Sequence, residues 1–162
     1  MRAEIINPFL VSASEILDME VGIKSVRGKL SLTASRWTGH KVTVMINIIG
    51  DIEGTVLLGM SEQTAIDVTS AMLGEKIPEF NSMVLSAVGE FGNVVSGRAM
   101  AKLEVLSYIA DISPPTILYG DACRVSTLYL KRLQIPLQTD YGLLELSVAL
   151  REKLNKNNGK GS

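Results

Sequence analysis

The sequence predicts an α+β fold in which two long helices pack on one face of an antiparallel sheet. Two stretches, Ala3 to Met19 and Asn81 to about Leu103, place apolar residues at three- and four-residue intervals, the stripe of an amphipathic helix. Between and after them lie runs punctuated by glycine and proline: Val42 to Ile49, Thr55 to Met60, Thr116 to Tyr119, Val125 to Pro136 and Leu143 to Leu150. The order is helix, three strands, a short helix, then helix and three strands again, which reads as a duplicated unit of one helix plus three strands. Two such units pair most simply into one antiparallel sheet carrying both long helices on the same side.

The elements follow in order. In the first helix Ile5, Ile6, Phe9, Leu10, Ala13, Ile16 and Leu17 form the stripe. Val21 to Leu32 alternates loosely and predicts a modest strand, leading to a turn at Trp37-Thr38-Gly39-His40. Val42 to Ile49 and Thr55 to Met60 are joined by Gly50-Asp51-Ile52-Glu53-Gly54, a glycine-bounded turn, and predict a hairpin. Ser61 caps a short helix over Thr64 to Leu73 that Gly74 ends. After Pro78 the second long helix carries Val84, Val88, Phe91, Val95, Ala99 and Lys102 along one side. Pro114-Pro115 breaks the chain before the last three strands, the final two joined by Gln138 to Gly142.

With 162 residues the chain predicts a single domain over residues 1–154, followed by a frayed tail, 155–162, that has no apolar side chain. Sixteen Lys plus Arg against seventeen Asp plus Glu leave a net charge of −1, so no global field draws in nucleic acid. One cysteine and one histidine exclude an internal disulfide and a Cys/His metal cluster, so no metal site is expected. The opening Met1-Arg2-Ala3-Glu4 lacks the order of a signal peptide, and no apolar run reaches the roughly 20 residues of a membrane helix. A cytoplasmic protein with no membrane contact is the expectation.

Chemistry concentrates on the second long helix. Ser86, Glu90, Asn93 and Gly97 are four, three and four residues apart and fall within an arc of roughly 60°. Gly89 and Gly92 flank them, and each interior glycine costs about 1 kcal/mol relative to alanine. Either the glycines lower the rim of this face so that another molecule's backbone approaches the polar groups, or they let the long helices pack closely while Ser86, Glu90 and Asn93 face water.

The segment Ser86-Ala87-Val88-Gly89-Glu90-Phe91-Gly92-Asn93 resembles the Ser/Asp, three residues, Glu, two residues, Asn pattern of the CheC/CheX/FliY family of response-regulator phosphatases, which has a proline further on. The likeness extends over about residues 3 to 151, through Ile6-Asn7-Pro8-Phe9, Gly50-Asp51, Gly54-Thr55-Val56, Met72-Leu73-Gly74-Glu75 and Ser113-Pro114-Pro115-Thr116. Either Pro114 or Pro115 matches the family proline. A single good motif copy is most similar to the CheX branch.

The resemblance implies a chemotaxis phosphatase acting on the aspartyl phosphate of the response regulator CheY. Asn93 would orient an in-line water, Glu90 would pair with the regulator's active-site lysine, and Ser86, Gly89 and Gly97 would meet the partner. Mg²⁺ would come from the regulator, with no cofactor bound by this chain. The alternative is a non-catalytic adaptor that recognises a phosphorylated regulator or a flagellar switch component with the same helix. Family members of this type also imply a homodimer joined through sheet edges, for which the strand Val125 to Pro136, with Leu128, Leu130 and Leu133, offers an apolar edge. Glu15-Ile16-Leu17-Asp18 on the first helix resembles a second motif copy with Asp for Asn, and is expected to be silent because Asp18 has no N–H donor.

Other residues predict structural roles: His40 in a turn, Cys123 as a small half-buried group, and Trp37 as an anchor for a loop or partner. Neither G-x-G-x-x-G nor G-x-x-x-x-G-K-[ST] occurs, so nucleotide binding has no support.

Overall fold

The computed structural model describes residues 2–33, 36–121, 123–127 and 130–154, with the backbone alone at 36–38. The expected tail 155–162 and Leu128 lie outside the described residues. α1 (Ala3–Ile16) widens into one π-turn, Leu17–Val21, which Gly22 closes at a left-handed φ of 75°. Then come β1 (Val26–Arg27), β2 (Ser31–Thr33), β3 (Arg36–Thr38), β4 (Val42–Gly50), β5 (Ile52–Met60) and α2 (Glu62–Leu73). The second half holds α3 (Ser82–Val105), β6 (Ala110–Ile112), β7 (Thr116–Tyr119), β8 (Arg124–Ser126), β9 (Arg132–Thr139) and β10 (Gly142–Glu152). Ser61 caps α2 as expected, its Oγ accepting from the Thr64 amide at 3.1 Å, and Gly74 ends the helix at φ 68°.

Among the described residues, eight strands form one antiparallel sheet in the order β1-β9-β10-β5-β4-β6, with β2 also paired to β9 and β7 to β4. β3 and β8 make a separate two-stranded ribbon. The repeat is therefore a helix plus five strands, where the sequence predicted three. β1 and β2 cross to β9 of the second half, and β6 and β7 cross to β4 of the first. The two hairpins meet at β5 and β10, with Val56 opposite Val148 and Leu58 opposite Leu146. Exchanging the halves thus reproduces every strand pairing, which is the mark of an internal pseudo-twofold axis.

Four expectations change. Val21 to Leu32 is not one strand but β1 and β2, and Trp37-Thr38 belongs to β3 rather than a turn. Val125 to Pro136 is broken into β8 and β9, which lie in different sheets. The outer edge of β9 is not open, because β1 and β2 hydrogen-bond along it.

α1 and α3 pack on each other and on one face of the sheet. Phe9 of α1, Leu17 of the π-turn, and Val88, Phe91 and Val95 of α3 are buried over Val44, Ile46, Leu146 and Val148. Each such large side chain contributes roughly 1.5–3 kcal/mol on burial. This packing holds α3 rigidly on the sheet with one stripe left uncovered.

Candidate functional site

α3 begins at Asn81, whose Oδ1 accepts hydrogen bonds from the amides of Met83 at 3.0 Å and Val84 at 3.2 Å. The cap fixes the helix phase two turns before the motif. Val84, Val88, Phe91, Val95, Ala99 and Leu103 face the core. Lys102, placed on that side by the sequence, instead stands at the border with α1, its Nζ 3.1 Å from Glu15 Oε1.

The opposite stripe carries the predicted residues. Ser86, Glu90 and Gly97 are exposed and Asn93 is half-buried. Residues three apart on a helix have Cβ atoms about 5–6 Å from each other, so the Glu90 carboxylate and the Asn93 amide can engage one ligand together. Among the described residues neither side chain is drawn into a hydrogen bond or ion pair of the protein's own. The amide supplies both a donor and an acceptor, whereas the carboxylate only accepts.

The three glycines divide. A Cβ on Gly89 would lie 3.1 Å from Ile117 Cδ1 and 3.7 Å from Pro115 Cγ, and one on Gly92 would lie 2.7 Å from Val44 Cγ1. Both are buried under the helix, so Gly89 meets β7 of its own chain and not the surface expected for a partner contact. Their purpose is close packing of α3 on the sheet rather than on α1. Gly97 is different, because a Cβ there meets nothing within 4 Å. Pro115 lies against the motif helix at Gly89.

Glu15 and Asp18 do not form a matching pair. Glu15 accepts from Arg98 Nε at 2.5 Å and from Lys102, and these two bonds, Arg98 first, hold its carboxyl below the usual carboxylate range. Asp18 is exposed in the π-turn. The burial pattern pairs a different segment with the motif. Glu4-Ile5-Ile6-Asn7 repeats the spacing of Glu90-Phe91-Gly92-Asn93, with exposed Glu4 matching Glu90, buried Ile5 and Ile6 matching Phe91 and Gly92, and buried Ala13 and Leu17 matching Ala99 and Leu103. Sequence reasoning placed Asn7 in the likeness at Ile6-Asn7-Pro8-Phe9 but did not pair it with Glu4 as a motif copy. Matching buried positions along both helices, rather than the motif letters alone, is the signal that finds them.

The remaining candidates are structural. His40 Nε2 lies 3.6 Å from Glu145 Oε1, and the half-buried Cys123 directs Sγ to the Gly120 carbonyl at 3.7 Å. The Trp37 side chain lies outside the described residues. Among the described residues no cluster of three or more His, Cys, Asp or Glu could hold a metal ion, and no helix is long and apolar enough to cross a membrane.

Comparison with known proteins agrees with this geometry. The family model for the chemotaxis phosphatase CheX matches residues 42–138, which include α3. The CheY-P phosphatase CheX of Thermotoga maritima is 34% identical over 128 residues, 78% of this chain and 83% of that protein. A CheC-like superfamily protein from Shewanella sp. PV-4 superposes with a TM-score of 0.86 at 24% identity, covering 93% of this chain and 99% of that one. The CheX-CheY-BeF3-Mg²⁺ complex of Borrelia burgdorferi contains a chain 28% identical, with a TM-score of 0.80 over 93% of this chain and 100% of that one. With a pseudo-twofold sheet, two helices on one face and one open Glu-x-x-Asn stripe, this chain belongs to the CheX family of chemotaxis phosphatases.

Proposed function

We propose that the protein hydrolyses the aspartyl phosphate of a CheY-type response regulator, with Asn93 orienting the attacking water and Glu90 docking the regulator. The observation that carries this is the free carboxylate and amide, one helical turn apart, on the exposed face of α3. The relatives support it: one is a CheY-P phosphatase, and another was crystallised with CheY, BeF3 and Mg²⁺.

The chemistry asks little of the helper. Water oxygen bonds to phosphorus as the bond from phosphorus to the aspartyl oxygen breaks, and the departing carboxylate keeps the electron pair. It needs no proton, because a carboxylic acid of pKa about 3.9 is a good leaving group. Mg²⁺ in the regulator's own site neutralises the phosphoryl oxygens. What is missing is a water in line, which the Asn93 amide supplies by accepting one hydrogen bond from it and fixing its lone pair toward phosphorus. A carboxylate driven toward a phosphoryl group is repelled, so Glu90 acts on a cation, the regulator's lysine, through a charge-assisted contact. Ser86 and Gly97 border the contact; Gly89 supports it from beneath.

Phosphate release from a phosphorylated CheY-type regulator tests the proposal. Asn93→Ala and Asn93→Asp should both lose about 10²-fold in turnover while still binding the regulator, with circular dichroism unchanged. Near wild-type turnover in folded Asn93→Ala would remove Asn93 from the chemistry, and phosphate release by the wild-type protein no faster than the regulator's own would leave the adaptor role as the better account. A homodimer also stays part of the proposal, with edge pairing now falling on the short outer strands; light scattering giving the single-chain mass of 17.5 kDa at high micromolar concentration removes it.

A further inference from the structure

A hollow of about 310 Å³ opens on α3 beyond Asn93, lined by Gly97, Met100, Ala101, Tyr108 and Ile109 together with the acidic Glu104 and Asp111. We propose that this hollow is a second anchor for the phosphorylated response regulator, taking an apolar side chain that has a basic neighbour from the surface beside the regulator's phosphorylation site. The inference rests on the assignment of Glu90 and Asn93 to that regulator.

Gly97 is the first reason. The fold needs Gly89 and Gly92 for packing, but a side chain at 97 would stand in open space. A glycine in the middle of a 24-residue helix weakens it. Its return is a bare stretch of helix that another surface can approach closely. Size is the second reason. A rise of 1.5 Å per residue puts Gly97 about 6 Å and Ala101 about 12 Å from Asn93 along the axis. A standard interface covers roughly 800 Å² per partner, a disc about 16 Å in radius. A regulator seated on Glu90 and Asn93 therefore reaches the hollow without a separate contact.

The surface chemistry selects the occupant. Ile109 is 71% exposed and Val105 83% exposed at this end of the helix, which suits an apolar knob. Glu90, Glu104 and Asp111 make the face acidic; the nearby cations Arg98 and Lys102 are turned aside to Glu15, and Arg2, beside the Tyr108 hydroxyl, is paired with Glu4 and Glu152. Acidic and apolar residues lining one hollow complement a basic residue next to an apolar one.

The test uses a CheY-type regulator that the wild-type protein dephosphorylates, and its beryllofluoride- and Mg²⁺-loaded form for binding. Ala101→Arg, which fills the hollow and offsets one of its two carboxylates, should raise KM and the dissociation constant about tenfold, and Ile109→Ser about fivefold. Gly97→Ala should raise Tm by about 2–4 °C yet weaken binding severalfold. Stability and affinity moving in opposite directions is an outcome that a purely structural role for Gly97 does not give. KM and binding within twofold of wild type in folded Ala101→Arg and Ile109→Ser, with Asn93→Ala inactive, overturns the anchor while leaving the phosphatase site intact. Retained turnover in Asn93→Ala together with unchanged binding in Ala101→Arg and Ile109→Ser overturns both.

Discussion

α1 and α3 occupy equivalent places about the pseudo-twofold axis, and both carry Glu-x-x-Asn, at Glu4 and Asn7 and at Glu90 and Asn93. Their surroundings differ. Glu90 follows two capped turns of helix and has no internal partner among the described residues. Glu4 sits in the first turn of a helix whose N-cap residue, Arg2, makes no side-chain capping bond to the helix backbone. Its Oε1 accepts from Arg2 Nη1 at 3.0 Å and from the Tyr108 hydroxyl at 3.0 Å, and Arg2 also reaches Glu152 at 2.8 Å. One carboxylate is therefore presented, and the other helps tie the start of the chain to the last strand. The contrast teaches that the spacing alone does not make a docking site: the carboxylate must be uncommitted and the helix beneath it must be firm.

The largest break in this comparison is Asn93→Ala, expected to remove about 10²-fold of turnover, against Asn7→Ala, expected to change it by less than twofold. Equal losses in the two variants, measured by phosphate release, would mean that both helices work. Next is Glu90→Ala, which deletes a charge-assisted contact worth roughly 1.5–3 kcal/mol and so should weaken binding of a beryllofluoride-loaded regulator about 10- to 150-fold. Unchanged affinity by calorimetry removes the docking role. The double variant Glu15→Ala with Asp18→Ala should keep phosphatase activity within about twofold; a large loss in the folded variant would place the working face on α1.

The smallest effect is on stability. Arg98 and Lys102 lower the carboxyl pKa of Glu15 in the folded state, so folding is favoured wherever the unfolded carboxyl would ionise and the favour is lost as pH falls through the folded-state value. Glu15→Gln should therefore melt slightly below wild type at pH 7, and the gap should close in acid. A gap that persists below pH 3 would assign the loss to packing instead of charge.

Local signals carried the long elements and the motif face. The helical stripes, the Ser61 and Asn81 caps, the Gly74 stop and the β4–β5 hairpin depend on neighbours within a few residues, so they are written in the chain itself. The exposed line of Ser86, Glu90, Asn93 and Gly97 follows from the same 3.6-residue period. Tertiary structure alone decided the rest. β1, β2 and β6 have only two or three residues, too few to show a period, and each exists because a strand of the opposite half offers it hydrogen bonds. Likewise Gly89 and Gly97 look alike in the sequence, and only the approach of Ile117 to one and open space beside the other separates packing from access. Glu4, Glu15 and Glu90 are one residue type on two helices; which of them stays free was set by partners brought in from distant parts of the chain, Tyr108 for the first and Arg98 for the second.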